Sequence, residues 1–484
     1  MSLVLSIDMG TSGCRSAAFD QELNLLAMAR GDYPLEILSE RQVEQDANLW
    51  WEAVKSTVRE VTAQLGQRRL EIRSIGISSQ GISIVPIDRE GNPLAKAISW
   101  LDTRAEQETA ELKARFGRRQ IFQKTGKRLS PTYTLPKLIW MAKHAERLYQ
   151  QADRFLLPLD FIQNKLCGNI TTDHTMAAGT MMYGTASQTW LEELLEPWGI
   201  DRGKLPEIAW AGTAVGQILP HMAQELGLPR ETIVALGAQD QKCAAYGGGV
   251  SEDTVTVSLG TGSCIAKLLR SPESGGNTTI PVFSYLSPGW WEAEGVLNTA
   301  GSALQWFRDK FAPQASFDRL TEMAAEAETG TLQFYPYLSG GASPAWAQGP
   351  GAFMGISLRT GIPECVRAIM EGVAYHIRAN VDAMDGMGEK ANILHLFGGG
   401  AQSEAWCQII ADVTGRTVKR LRSCETALAG AARLAYRALG VQTESLPAEQ
   451  EWEPSPKRAA AYEAAYRKYE AMRERCFGEV AEGE

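Results

Sequence analysis

The chain has 484 residues, 44% of them hydrophobic and 22% charged, with a formal net charge of −9. At roughly 100–200 residues per domain the length allows two large domains, and the composition excludes a disordered chain. The acidic balance leaves no basic footprint for nucleic acid, although a local cradle of backbone N–H groups can still bind an anion.

Residues 3–7 (LVLSI) read as a buried strand, followed by the turn Asp8-Met9-Gly10-Thr11-Ser12-Gly13 and by strands over 15–20 and 23–30. Asp46 is placed to cap a helix over 46–65, and strands return at 72–77 and 82–87. Pro136 opens a helix expected to run over 136–150. A strand at 232–236 leads into Gly237 and Asp240. A second strand cluster then starts at 254–259, turns at Gly260-Thr261-Gly262-Ser263, and continues over 264–269. Helices are expected at 300–311, 316–328, 363–385, 403–414, 426–439 and 456–476, the last an amphipathic, solvated one. Alternating strands and helices predict an α/β fold. The echo between IDMGTSG and SLGTGS suggests two related halves, divided near 243–252 into domains over 1–246 and 247–484.

The eight cysteines (Cys14, Cys167, Cys243, Cys264, Cys365, Cys407, Cys424 and Cys476) include no Cys-x-x-Cys pair, so no zinc site or disulfide framework is spelled out. Free thiols fit a cytoplasmic location. The N-terminus lacks the basic region of a signal peptide, and no segment approaches a membrane-spanning run. The histidines are scattered without metal-ligand spacing.

Small residues in a tight turn let backbone N–H groups converge on an anion. In the first turn Thr11 and Ser12 add hydroxyl donors, and Asp8 is placed to hold Mg²⁺ through water. Two such turns can grip a nucleoside triphosphate; either alone reads first as an ordinary β-turn. No P-loop and no dinucleotide fingerprint is present. Asp240, between a strand end and a helix start, sits where α/β sheets bind ligands. There it can take the proton of an attacking hydroxyl; its alternative role is a helix N-cap. The run Phe397-Gly398-Gly399-Gly400-Ala401-Gln402-Ser403 offers either close approach to an adenosine or a tightly packed helix entry.

Taken together, IDMGTSG, SQG…SWLDTR, GAQDQ, SLGTGS, PYLSGG and FGGGAQS stand in the order of the FGGY carbohydrate kinases, and the chain resembles that family from Ile7 to about Leu439. Residues 132–144 and 351–371 resemble the two family signatures, the first with Lys137 and Trp140 in register, the second departing chiefly at Cys365. The resemblance implies two ribonuclease-H-like domains of the actin-like ATPase superfamily around a deep cleft, and an ATP- and Mg²⁺-dependent sugar or polyol kinase. By motif match it implies Asp240 as catalytic base and Asp8 as the Mg-linked carboxylate. It implies phosphate contacts at Gly10, Thr11, Ser12, Gly13, Gly260, Thr261 and Gly262, and adenosine contacts near Gly399, Gly400 and Ala401. Acceptor contacts are implied at Gln80, Gly81, Trp100, Asp102, Asp240 and Gln241, with Trp100 either stacking on the sugar or serving as a core aromatic. A homodimer is implied by analogy.

The sequence also departs from its relatives. Gly81-Ile82 replaces the Met-His that follows this glutamine in xylulose kinases and the Arg-Glu of glycerol kinases, and Gly341-Ala342 replaces a Glu-Arg pair. The pattern over 298–308 is nevertheless most similar to xylulose-kinase-like members. The alternatives are a catalytically altered member that senses sugar or binds nucleotide, and an ATPase of the actin or heat-shock type that drives a partner.

Overall fold

The computed structural model describes residues 2–273, 279–347 and 349–478. They form two units. The first takes the chain up to Gly247 together with Val282–Trp291 and Glu425–Ser445; the second takes Gly248–Pro281, Glu292–Cys424 and the chain from Leu446 onward.

In the first unit the run LVLSIDM is strand β1 (Leu3–Met9), buried at every residue. An apolar run with little alternation belongs in the middle of a sheet covered on both faces. Strands β2 (Gly13–Phe19) and β3 (Leu25–Asp32) extend it as an antiparallel meander. Helix α1 (Ala47–Leu65) starts where the Asp46 carboxylate accepts the Asn48 N–H at 2.9 Å. It buries one stripe, Trp50, Val54, Val58 and Val61. Strand β4 (Ile72–Ser79) lies parallel to β1. Helix α2 (Pro158–Cys167) meets Trp50 of α1 through Phe161, edge-on at 6.4 Å between ring centres. Strands β5 (Ala214–Gln217), β6 (Ile233–Ala235) and β7 (Ala238–Gln239) complete a sheet ordered β5-β6-β4-β1-β2-β3, with β7 also paired to β4. Helix α3 (Asp240–Gly247) follows β7 directly.

The second unit opens with β8 (Thr254–Ser258), β9 (Ser263–Leu269) and β10 (Trp291–Leu297). Helices α4 (Gly301–Phe311), α5 (Phe317–Glu326) and α6 (Ile362–Asp385) lead to β11 (Ile393–Phe397), α7 (Glu404–Thr414) and β12 (Thr417–Leu421). The chain then re-enters the first unit as α8 (Thr426–Ala438) before closing with β13 (Ala448–Trp452) and α9 (Pro456–Phe477). The strand order β10-β9-β8-β11-β12-β13 repeats the plan of the first sheet. In each, the opening strand is antiparallel to the next and parallel to the one on its other side, and the far edge strand is antiparallel. The echo between IDMGTSG and SLGTGS therefore marks the same hairpin in two sheets of one topology.

Helix α8 reaches the first sheet and α3 through glycines. A Cβ on Gly76 of β4 would lie 2.0 Å from the Ala431 carbonyl oxygen, and one on Gly430 would lie 1.9 Å from that of Cys243. A side chain at either position would force the elements apart.

Two expected elements differ. The helix over 136–150 is two, Thr134–His144 and Glu146–Gln151, because Ala145 leaves the helical region at φ −133°. The strand over 82–87 shrinks to Val85–Ile87. Ile82 has φ +56°, a left-handed conformation that a β-branched residue rarely adopts, so extended pairing cannot start there.

Candidate active site

Asp8 stands at the end of β1, nearly buried. Its Oδ1 accepts from Ser78 Oγ at 2.7 Å, and its Oδ2 meets Arg15 Nη2 at 2.6 Å. The other Arg15 terminal nitrogen meets Glu425 at 2.6 Å, so the carboxylate is held between β4 and the start of α8. Both strand neighbours are in register with Asp8, which is why the sequence delivers Ser78 and Arg15 to it.

The turn that follows is pinned by its carbonyls. Tyr33 Oη donates to Gly10 O at 2.6 Å, Gln45 Nε2 to Thr11 O at 2.7 Å, and Tyr33 N to Ser12 O at 3.1 Å. Among the described residues the N–H groups of Thr11 and Ser12 donate to no protein group. Gly13 has to be glycine, since a Cβ would lie 2.6 Å from the Gly31 oxygen. The arrangement is a rigid backbone cradle with two spare donors, as an anion requires.

Trp100 is not a core aromatic: 37% exposed, it donates its indole N–H to Thr11 Oγ1 at 2.9 Å. Asp102, expected on the acceptor, is instead completely buried. Its Oδ2 accepts the Val43 N–H at 2.7 Å and Arg104 Nη2 at 2.8 Å, while its Oδ1 meets Arg104 Nε at 3.0 Å in a two-pronged ion pair. With Oδ1 accepting the Arg104 backbone N–H at 2.9 Å, both oxygens are engaged, and Asp102 fixes the loop that carries Trp100. Lys137 braces the same loop from below, with its ammonium on Ser99 O at 2.7 Å and Thr132 O at 2.5 Å. Burial lowers its pKa to about 7, opposed by the charge of Asp102. These roles escape a sequence reading because each depends on where another loop ends; the one local signal is Arg104, two residues beyond Asp102.

Asp240 is the first residue of α3, half-buried, with Oδ1 accepting the Gln241 N–H at 2.7 Å. Gln80 and Asp240 each come one residue after the register pair Ser79–Gln239 on the parallel strands β4 and β7. Gly237 permits that approach, since a Cβ there would lie 1.9 Å from the Ile77 oxygen. The Gln239 N–H donates to Thr175 Oγ1 at 3.0 Å, and that hydroxyl donates to Asp173 at 3.0 Å. Asp173 is fully buried, and burial pushes its pKa up to about 7, opposed by the N–H groups of Thr175 and Met176 that it accepts. Thus Gln80 and Gly81 lie beside the segment Gln239–Asp240, Gln45 joins Gln80 to Thr11, and Thr11 meets Trp100.

The second unit holds a cleft of about 370 Å³. Its floor is the turn after β8: Gly301 N donates to Gly260 O at 2.8 Å, while Thr261 O takes the Ala300 N–H at 2.9 Å and Ser302 Oγ at 2.8 Å. The N–H groups of Thr261 and Gly262 have no protein acceptor among the described residues. Gly399 and Gly400 form one wall, with Gly399 open to solvent; Ala401 is buried and does not line the cleft. Sequence reasoning missed Ser302, Gln305, Phe317 and Thr321, which also line the cleft. The hydrophilic wall of α4 and the Phe317 ring together suit a flat, polar heterocycle with a charged tail.

The FGGY carbohydrate kinase N-terminal domain matches residues 3–247 and its C-terminal domain residues 255–439. A xylulose kinase of Staphylococcus epidermidis is 30% identical over 97% of this chain and 96% of its own. Among solved structures, a ligand-bound xylulose kinase from Lactobacillus acidophilus superposes with a TM-score of 0.92 at 25% identity, over 99% of this chain and all of that one (100%). A gluconate kinase from the same organism gives 0.91 at 26%, over 99% and 100%. Both have the two-domain actin-like ATPase fold, as this chain has. With both family domains in sequence and the fold of its solved relatives, the chain belongs to the FGGY family of carbohydrate kinases and is an ATP-dependent carbohydrate kinase.

Proposed function

We propose that the chain transfers the γ-phosphoryl group of Mg–ATP to one hydroxyl of a ketose of the xylulose class or a related pentulose. The observation that carries this is Asp240, held at the start of α3 beside Gln80 and Gly81. The second unit's turn and cleft take the nucleotide, with Thr261 and Gly262 N–H groups on phosphate oxygens and Gly399 and Gly400 against the adenosine. In the first unit Asp240 orients the acceptor hydroxyl and takes its proton, while Thr11 and Ser12 stabilise the transferring group. A carboxylate is a weak base toward a sugar hydroxyl, so positioning contributes more than basicity.

Mg²⁺ fits Asp8 as a water-mediated ligand. Each Asp8 oxygen has one protein donor and a lone pair to spare. Among the described residues no three His, Cys, Asp or Glu side chains cluster, and an ion that arrives on phosphates and keeps several waters needs none. When bound it neutralises charge on the β- and γ-phosphates. Free thiols at all eight cysteines support a cytoplasmic setting.

Two measurements test the reading. Coupled ADP release, screened across pentuloses, hexuloses, polyols and aldonic acids, is expected to peak on a pentulose; activity on an acid alone would overturn the substrate class. Asp240→Asn is expected to keep ADP binding and lose about 10³-fold or more in kcat. Near-normal turnover in that variant removes Asp240 from the chemistry.

A further inference from the structure

Side-chain amides lie in series toward Asp240, and hydrogen bonds fix which end of Gln45 and of Gln80 is which. The Thr11 carbonyl oxygen can only accept, so the Gln45 atom 2.7 Å from it is the nitrogen. Gln45 Oε1 then accepts, and the Gln80 atom 3.3 Å from it is also a nitrogen. What remains on Gln80 is a carbonyl oxygen. Gln80 is 3% exposed, and this oxygen has no hydrogen-bond partner among the described residues. Gln239 Oε1, on the residue before Asp240, is likewise buried and without a partner. The Gln239 side chain lies against Gly81, where a Cβ would stand 3.2 Å from Gln239 Cγ. Residue 81 as glycine therefore leaves room for that amide.

Two buried oxygens that only accept, next to a proposed catalytic carboxylate, call for donors. We propose that Gln80 and Gln239 each accept a hydrogen bond from a hydroxyl of the acceptor substrate, and so select a neutral polyhydroxy ketose or polyol over an aldonic acid. A hydroxyl can donate to a carbonyl oxygen. A carboxylate brings only lone pairs to it, and Asp240 adds like charge. The selection rests on the acceptor role proposed for the first unit.

The test uses the full-length enzyme with xylulose, its monodeoxy analogues and gluconate. In the wild type, kcat/KM for gluconate is expected to fall on the order of a hundredfold or more below that for xylulose. Two monodeoxy analogues are expected to lose about tenfold each. Gln80→Met is expected to lower kcat/KM for xylulose about tenfold but leave it unchanged for one of those two analogues, and Gln239→Met for the other. A purely structural role would penalise every substrate alike, so uniform loss overturns the proposal, as does no loss. Equal use of gluconate and xylulose by the wild type overturns it too. Should one variant fail to fold, the other and the wild-type analogue ranking still decide. If the wild type phosphorylates no neutral acceptor, the proposed function fails; if it does so without regard to the analogues, only this selection fails.

Discussion

Trp100 Nε1 donates to Thr11 Oγ1 at 2.9 Å, which makes that oxygen an acceptor and leaves its own hydrogen to donate elsewhere. Trp100→Phe keeps the ring and deletes the donor. A neutral hydrogen bond contributes about 0.5–1.5 kcal/mol, so kcat is expected to fall about two- to tenfold with KM for the sugar little changed. Steady-state kinetics separate this from a stacking role, in which KM alone would rise. Asp160 gives a second prediction at this scale. It is fully buried in the first turn of α2, with burial pushing its pKa up to about 8 from 3.8. A carboxyl that holds its proton more tightly in the fold contributes stability that is complete below the unfolded value and is lost as pH rises toward 8. Asp160→Asn stays neutral, keeps the acceptor for the Leu157 N–H at 3.0 Å, and can donate to the Thr172 hydroxyl beside it. Urea melts should show the variant gaining on wild type between pH 5 and 8, by on the order of 2 kcal/mol at the upper end. A constant gap would mean that the fold already holds the carboxyl ionised. The placement of Asp8 near the end of β1 and of Asp240 between β7 and α3 was legible because a short local string sets each there. Asp102 was not, because its burial is decided by Val43 and Arg104, one of them in a distant segment.

Most of the helices and strands expected from the sequence stand within two or three residues of their places, since their stripes and caps are local, but helices such as Pro158–Cys167 and edge strands such as Ala448–Trp452 were not foreseen. Asp46 starts α1 and Ser403 starts α7 as their side chains allow. The break at Ala145 was not legible, because neither glycine nor proline marks it. The contact of α3 with α8 was not legible either: it joins residues nearly two hundred apart in the chain, through backbone rather than side chains. Gly430 sits where any Cβ would stand 1.9 Å from the Cys243 oxygen, and Gly247 where one would stand 2.1 Å from that of Thr426. Gly430→Ala must push α8 off the helix whose first residue is Asp240. Overpacking of this kind costs about 1–3 kcal/mol, and calorimetry should show the melting point fall by several degrees. If Asp240 is the base proposed above, its orientation matters more than its basicity, and kcat should fall further than the lost stability alone explains. Full activity in a destabilised variant would show that α3 holds its place without α8.

At the scale of the whole molecule, the paired turns announced two sheets of one plan, yet no composition shift announces that Glu425–Ser445 goes back to the first unit. The glycine-punctuated stretch at 243–252 suggests instead two contiguous domains, over 1–246 and 247–484. The α8 segment makes a prediction that separates contiguous from interleaved folding. Leu428, Leu434 and Tyr436 are fully buried, and α8 packs on α3, β1 and β4. Each such side chain contributes about 1.5–3 kcal/mol, so together they approach the roughly 5–15 kcal/mol that holds a whole domain. A fragment of residues 1–247 should therefore expose the face of β1 and β4 that α8 covers, and fail to give a cooperative melt. The same fragment with residues 425–445 joined to its C-terminus through a flexible linker should regain cooperative unfolding, read by circular dichroism and by resistance to proteolysis. Cooperative melting of the shorter fragment would mean that α8 is only a cover on a self-sufficient sheet, and the acceptor side could then be studied alone. Rescue by the added helix would mean instead that the segment beginning with Glu425, the residue that pairs with Arg15 beside Asp8, completes both the fold and the Asp8 site of the first unit.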